Sequence, residues 1–292
     1  MLKRSTVAFC TASAIAMIAH VGTAIAETGT DHGCPDTLRY ADTGVEGLEE
    51  LRRSFGPFVE VMQEALGVSV EFFPVGNRTA VVNALQFEQV DVVMTGPSEY
   101  VALQARIEGA QPIVSLSRPH YASIFIVADD SGYESLADLK GTRIAMKDVG
   151  STTGHIIPAY MLHEAGLDID RDVEILNIDG TRFQALINGD VQAVGTGVRD
   201  WDSFVEMAGE GYKILEQSPP MPDDLIVAGA HISADCVAFM KDRMMANGEA
   251  LIQATLAPEG RDRYLDSKLV DVDDSSYDVV REAYAALGLV AE

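Results

Sequence analysis

The sequence predicts two α/β lobes, each a mostly parallel β-sheet flanked by helices, with the second lobe inserted into the first. Strand-like apolar runs alternate with helical ones through residues 37–230, the pattern of a doubly wound sheet. That alternation breaks twice, at Ser-Arg-Pro-His-Tyr (117–121) and Ser-Pro-Pro-Met-Pro (218–222), where the chain is expected to cross between lobes. The composition permits a sizeable core: 292 residues, 47% hydrophobic and 7% aromatic, which is globular and not disordered.

In order, residues 1–26 read as a secretory signal peptide. Lys3 and Arg4 precede a short apolar stretch, and Ala24-Ile25-Ala26 forms an A-x-A site with cleavage expected after Ala26. The mature protein is therefore expected to be exported and freely soluble. Residues 37–41 form a strand, and 48–66 a helix whose apolar positions fall three and four apart before Gly67 stops it. Strands at 68–74 and 90–94 flank a helix at 78–87, and a helix from 99 to 108 follows Thr-Gly-Pro-Ser (95–98). A second set then runs strand 123–128, helix 136–139, strand 143–146, helix 156–165, strand 173–177, helix 181–188, strand 193–195 and strand 212–216. A strand at 225–230 returns to the first lobe, and the rest is mostly helical. The expected division is a signal over 1–26, a first lobe over 27–118 and 219–292, and a second lobe over 119–218. The cleft between lobes is the natural ligand site.

Charge and cysteines narrow the function. Lys and Arg number 21 against 45 Asp and Glu, a net charge of −24. Removing Lys3 and Arg4 with the signal leaves −26. Nucleic acid and anionic membranes are excluded as partners. Beyond Cys10, in the signal, Cys34 and Cys236 remain. In an exported chain such a pair is either a disulfide, stabilising by roughly 3–5 kcal/mol through a loop of about 200 residues, or two separate buried thiols.

The run Asp-Val-Gly-Ser-Thr-Thr-Gly-His (148–155) joins a strand to a helix. Its hydroxyls, Ser151, Thr152 and Thr153, stand where free backbone N–H groups and the helix dipole favour an anion. The same residues suit plain helix capping, but the position of the run in the second lobe, facing the cleft, favours an anion cradle. His155 either donates to that anion or is an ordinary helix residue. Tyr121, at the first crossing, either lines the cleft or packs. Arg199, beside Asp200 and Trp201, forms a cleft-lining loop or a surface ion pair. A G-x-S-x-G elbow, a G-x-G-x-x-G fingerprint and P-loop spacing are absent from the sequence, so no enzyme, cofactor or metal is expected.

Tyr-Glu-Ser-Leu-Ala-Asp-Leu-Lys-Gly-Thr-Arg-Ile-Ala-Met (133–146) resembles a segment shared by type II periplasmic solute-binding proteins. Ser151-Thr-Thr-Gly154 with Pro158 resembles the Ser-Thr-Ser-Gly…Pro signature of the phosphonate- and phosphite-binding branch, the soluble components of ABC importers. Residues 92–100 resemble that branch's Gly-Pro…Tyr segment. The resemblance implies a type II two-lobed fold and a monomer in the periplasm that presents a small oxyanion to an ABC permease. The same fold also serves as a sensory subunit for a membrane histidine kinase, or binds an unrelated small ligand. It implies ligand contacts from Ser151, Thr152 and Thr153 in one lobe and from Asp42, Thr43, Thr95 and Tyr100 in the other, with Asp224 on the ligand's far side. Two positions depart from the branch: Asp179 stands where a His contacts ligand, and Arg199 where an aminophosphonate binder has Glu. Arg there disfavours a cationic ligand tail and favours a compact oxyanion.

Overall fold

Apolar spacing sets the first helix. Leu51, Phe55, Phe58, Met62 and Leu66 recur on one face of α1 (Leu48–Leu66), and all five are buried. The computed structural model of the protein describes residues 27–44, 47–258 and 264–289; the expected signal peptide lies outside the described residues. Among those described, no helix is long and apolar enough to cross a membrane.

The first stretch runs β1 (Thr37–Asp42), α1, β2 (Ser69–Phe72), α2 (Arg78–Gln86), β3 (Val92–Thr95), α3 (Pro97–Arg106) and β4 (Gln111–Leu116). After a crossing come β5 (Ser123–Ala128), β6 (Arg143–Met146), α4 (Ile157–Glu164), β7 (Glu174–Asn177), α5 (Arg182–Ile187), β8 (Ala193–Gly197), α6 (Asp200–Ala208) and β9 (Tyr212–Gln217). The chain then returns through β10 (Asp224–Ala228), α7 (Ala234–Ala246), α8 (Gly248–Leu256), β11 (Leu269–Val270) and α9 (Asp278–Ala286).

The strands form two sheets, ordered β11-β4-β10-β3-β1-β2 and β7-β6-β8-β5-β9. β2, β1 and β3 are mutually parallel, as are β7, β6 and β8. The strand that enters each sheet from the other lobe runs against its neighbours: β10 against β3 and β4, β5 against β8 and β9. Such a strand arrives from outside its sheet and is freed from the right-handed βαβ crossover that keeps its neighbours parallel. β4, β11 and α6 were not expected from sequence. β11 has two residues, and the apolar run of β4 carries Pro112.

Core clusters cover both faces of each sheet. α1, α7 and α8 pack one face of the first, α2 and α3 the other; α4 and α5–α6 cover the second. α9 touches both lobes. Val280 joins Tyr100 and Leu225 of the first lobe, whereas Val279, Tyr284 and Leu287 pack on the second-lobe core. Cys34 and Cys236 are disulfide-bonded, with Cα atoms 4.9 Å apart across 202 residues of sequence. The bond links the segment before β1 to α7, two parts of the first lobe that the inserted lobe separates. Beneath the same sheet, buried Asp91 accepts from the backbone N–H and guanidinium of Arg39 and lies 2.8 Å from His231 Nε2.

Replacing both cysteines by Ser should lower unfolding free energy by about 2–5 kcal/mol in urea titrations, by releasing loop-closure entropy into the unfolded chain. Burial pushes the Asp91 carboxyl up, but hydrogen bonds from Arg39 and His231 outweigh it and hold it below the usual carboxylate range. Its contribution is therefore present above the unfolded carboxylate pKa and lost as pH falls through the folded one. Asp91→Asn should cost about 1–3 kcal/mol near neutral pH and flatten the acid limb of a stability–pH curve. An unchanged acid limb would contradict this.

Candidate functional site

Strands of an open parallel sheet end their carboxyl termini at one edge, and ligand sites form there. Here the carboxyl ends of β1, β3 and β6 deliver Asp42 and Thr43, Thr95 and Gly96, and Lys147 to one cavity of about 100 Å³. Its walls also carry Ser151, Thr152, Thr153, Glu99, Arg78, Arg118, Tyr121, Asp224 and Tyr264. Both lobes contribute. Of the residues expected at the site, Ser151, Thr152, Thr153, Asp42, Thr43, Thr95, Tyr121 and Asp224 meet here.

The hydroxyl loop opens α4 with a π-turn over Thr152–Ile156. The N–H groups of both His155 and Ile156 donate to the Ser151 carbonyl at 2.9 Å. This widened start leaves Thr152, Thr153 and Gly154 at the amino end of the helix, where N–H groups have no intrahelical acceptor. Two glycines make the turn feasible. Gly150 has φ +91°, and a Cβ on Gly154 would fall 2.5 Å from the Lys147 side chain. That close approach brings Lys147 into the cavity wall. Thr152 also reaches across to the other lobe: its Oγ1 accepts from Ser98 N at 3.1 Å and lies 2.7 Å from Ser98 Oγ, which lies 2.6 Å from the Gly150 carbonyl.

Each cation in the wall holds a carboxylate. Arg78 Nη1 donates to Glu99 at 2.8 Å, Arg118 Nη1 to both oxygens of Asp224 at 3.1 Å, and Lys147 Nζ to Asp200 at 3.0 Å. Burial works against the charge on Arg78 and Arg118, yet Glu99 and Asp224 hold both guanidiniums above their ordinary range. Asp200 is pushed up by burial and pulled below the usual range by Lys147, Thr196 and Arg182. Asp42 accepts from Gly44 N at 2.7 Å. Among the described residues no cluster of three His, Cys, Asp or Glu is placed to hold a metal.

Four expected residues lie outside the wall. Tyr100 is fully buried on the inner side of α3, where its hydroxyl donates to Asp274 at 2.7 Å. His155 is half-buried and turned back on its own loop, with Nδ1 3.4 Å from Gly150 N, and burial lowers its pKa. Asp179 pairs with Arg182 at 2.6 Å, and Arg199 reaches the Pro119 carbonyl at 3.2 Å. Arg78, Glu99, Arg118, Lys147 and Tyr264 were missed. Lys147 follows β6 directly and Arg118 sits in the first crossing, so both were within reach of the sequence pattern. Arg78, Glu99 and Tyr264 come together only in the tertiary fold.

Residues 45–277 match the family described as ABC transporter, phosphonate, periplasmic substrate-binding protein. The phosphonates-binding periplasmic protein of Escherichia coli is 26% identical over 226 residues, which are 73% of this chain and 66% of that protein. The phosphate-import protein PhnD of Mycolicibacterium smegmatis is 28% identical over 149 residues, 48% of this chain and 46% of that protein. The matched part thus spans half to two thirds of these relatives. The structure of PhnD1 from Prochlorococcus marinus in complex with methylphosphonate has a TM-score of 0.69 at 17% identity, covering 87% of this chain and 99% of that one. The sulphonate-binding protein SsuA of E. coli has a TM-score of 0.60 at 18% identity, covering 89% and 90%. These likenesses fix the two-lobed type II fold, and the match over residues 45–277 places the chain in the family of periplasmic substrate-binding proteins of phosphonate ABC transporters.

Proposed function

We propose that this protein captures a small phosphorus oxyanion, a phosphonate or phosphite, in the cleft between its lobes and presents it to the permease of an ABC importer. It acts as a carrier and not an enzyme, after export and cleavage following Ala26. The observation that carries this reading is the widened start of α4 opening into a 100 Å³ cavity between Lys147 and Arg78. Ligand pockets for drug-sized molecules run roughly 300–1,000 Å³, so a compact ligand fits here. Ser151 and Thr153 supply hydroxyls, the first turn of α4 supplies N–H donors and its dipole, and Arg78 and Lys147 supply charge. The E. coli and Mycolicibacterium relatives support the same class of ligand.

Residues 27–118 with 219–292 form one lobe and 119–218 the other, moving about the two crossings. Ligand held by both lobes stabilises the closed arrangement through its differential affinity. Ser98 is the latch: it does not line the cavity, but it joins α3 of one lobe to Thr152 and Gly150 of the other.

Calorimetry should show binding of phosphite or methylphosphonate and at least tenfold weaker binding of sulfate; heat from none of them would contradict the reading. Ser151→Ala with Thr153→Ala should abolish that binding while circular dichroism stays unchanged. Ser98→Ala should weaken apparent affinity by about 3- to 10-fold, the worth of one net hydrogen bond; unaltered affinity would remove the latch.

A further inference from the structure

Two of the cavity's three carboxylates, Asp224 and Glu99, are already occupied by the protein's own cations, and the third, Asp42, accepts from Gly44 N. Asp224 is buried, and both of its oxygens meet Arg118 Nη1 at 3.1 Å. Its Oδ2 also accepts from Tyr264 OH at 3.0 Å. Glu99 is engaged likewise, Oε1 by Arg78 at 2.8 Å and Oε2 by Ser98 Oγ at 2.9 Å.

Besides Asp224, the Tyr121 ring and a backbone bond to Asp223 hold Arg118 in place. Its guanidinium carbon lies 3.6 Å over the Tyr121 ring, its backbone N–H donates to Asp223 Oδ1 at 2.8 Å, and its side chain is 11% exposed. It is therefore a fixed wall, unlike a surface arginine that swings aside. A ligand carrying an ammonium group would need a carboxylate to receive it. In this cavity Arg78 and Arg118 already hold Glu99 and Asp224, and Lys147 adds a third cation to the wall.

We propose that Arg118 is a specificity-determining residue, an internal counter-ion that occupies the place of a ligand cation on Asp224. It restricts the site to compact phosphorus oxyanions whose substituent is no larger than methyl and carries no positive charge. The proposal rests on the oxyanion reading and deepens it to a ligand class. Arg199, suspected from sequence of this role, bonds the Pro119 carbonyl outside the wall; the guanidinium that confronts the ligand comes from the other side of the same crossing. Truncating Arg118 frees Asp224 to face the cavity, so the exclusion should convert into acceptance.

The test is calorimetry of the wild-type protein and of Arg118→Ala against methylphosphonate, propylphosphonate and 2-aminoethylphosphonate. Wild type should bind methylphosphonate at least 100-fold more tightly than either longer ligand. In Arg118→Ala the affinity for 2-aminoethylphosphonate relative to methylphosphonate should rise at least tenfold, and by more than that for propylphosphonate. Adding Asp224→Asn to Arg118→Ala should erase the preference for the amine, which a simple gain of space would not. Wild type binding 2-aminoethylphosphonate within tenfold of methylphosphonate overturns the proposal while leaving the oxyanion reading intact, and this arm does not depend on any variant folding. An unchanged ratio in a folded Arg118→Ala overturns it as well. Binding of none of the three by wild type removes the oxyanion reading and the proposal together.

Discussion

Six charged side chains line one small cavity where the two lobes meet, and each cation among them is compensated within its own lobe. Asp42, Glu99 and Asp224 face Arg78, Arg118 and Lys147. Breaking one partner out of a buried pair costs several kcal/mol, because an uncompensated charge stays behind. Arg78–Glu99 lies within the first lobe. Arg118–Asp224 joins the two strands of chain that cross between lobes. Lys147–Asp200 lies within the second. The lining is formally neutral, three cations against three carboxylates, so on the proposed function an anion is held by hydrogen-bond donors, the helix terminus and rearranged pairs that free Arg78 and Lys147. The net charge of −24 sits mostly on exposed side chains, whose fields salt screens through the solvent beyond about 8 Å at physiological ionic strength.

The connectivity places this wall at the junction of the two lobes. β5 and β10, which each run against both neighbours, begin at a crossing, and Arg118, Tyr121 and Asp224 lie at those crossings. The disulfide and the Asp91 cluster instead tie the first lobe to itself, away from the cleft. α9 packs on both lobes, and Tyr284 OH donates to the carbonyl of Ser98 at 3.1 Å. Ser98, the proposed latch, is thus also held by α9.

Much of the fold was legible because period and punctuation agree: α1, β5 and β6 lie where the apolar spacing, Gly67 and the Asp-Leu-Lys-Gly segment put them. β11 and α6 escaped because a two-residue strand has no period to read, and α6 begins at an Arg-Asp pair that suggested a loop. At the site, the hydroxyl loop and the strand-end residues Asp42 and Thr95 were visible as positions in a pattern. Tyr100 was misplaced because a tyrosine in the first turn of the helix after a strand has the same sequence context whether it faces the cleft or the core; here Asp274 and Tyr277, more than 170 residues away in the chain, draw it inward. Arg118 and Arg199 flank one junction in space, and only the fold decides which reaches the cavity.

The most direct test of the oxyanion cradle is a crystal structure of the protein grown with phosphite. Phosphite oxygens should lie within hydrogen-bond distance of the Ser151 and Thr153 hydroxyls and of the first N–H groups of α4, with Lys147 or Arg78 alongside. Phosphite bound elsewhere, or in the cleft without touching residues 151–153, would contradict the account.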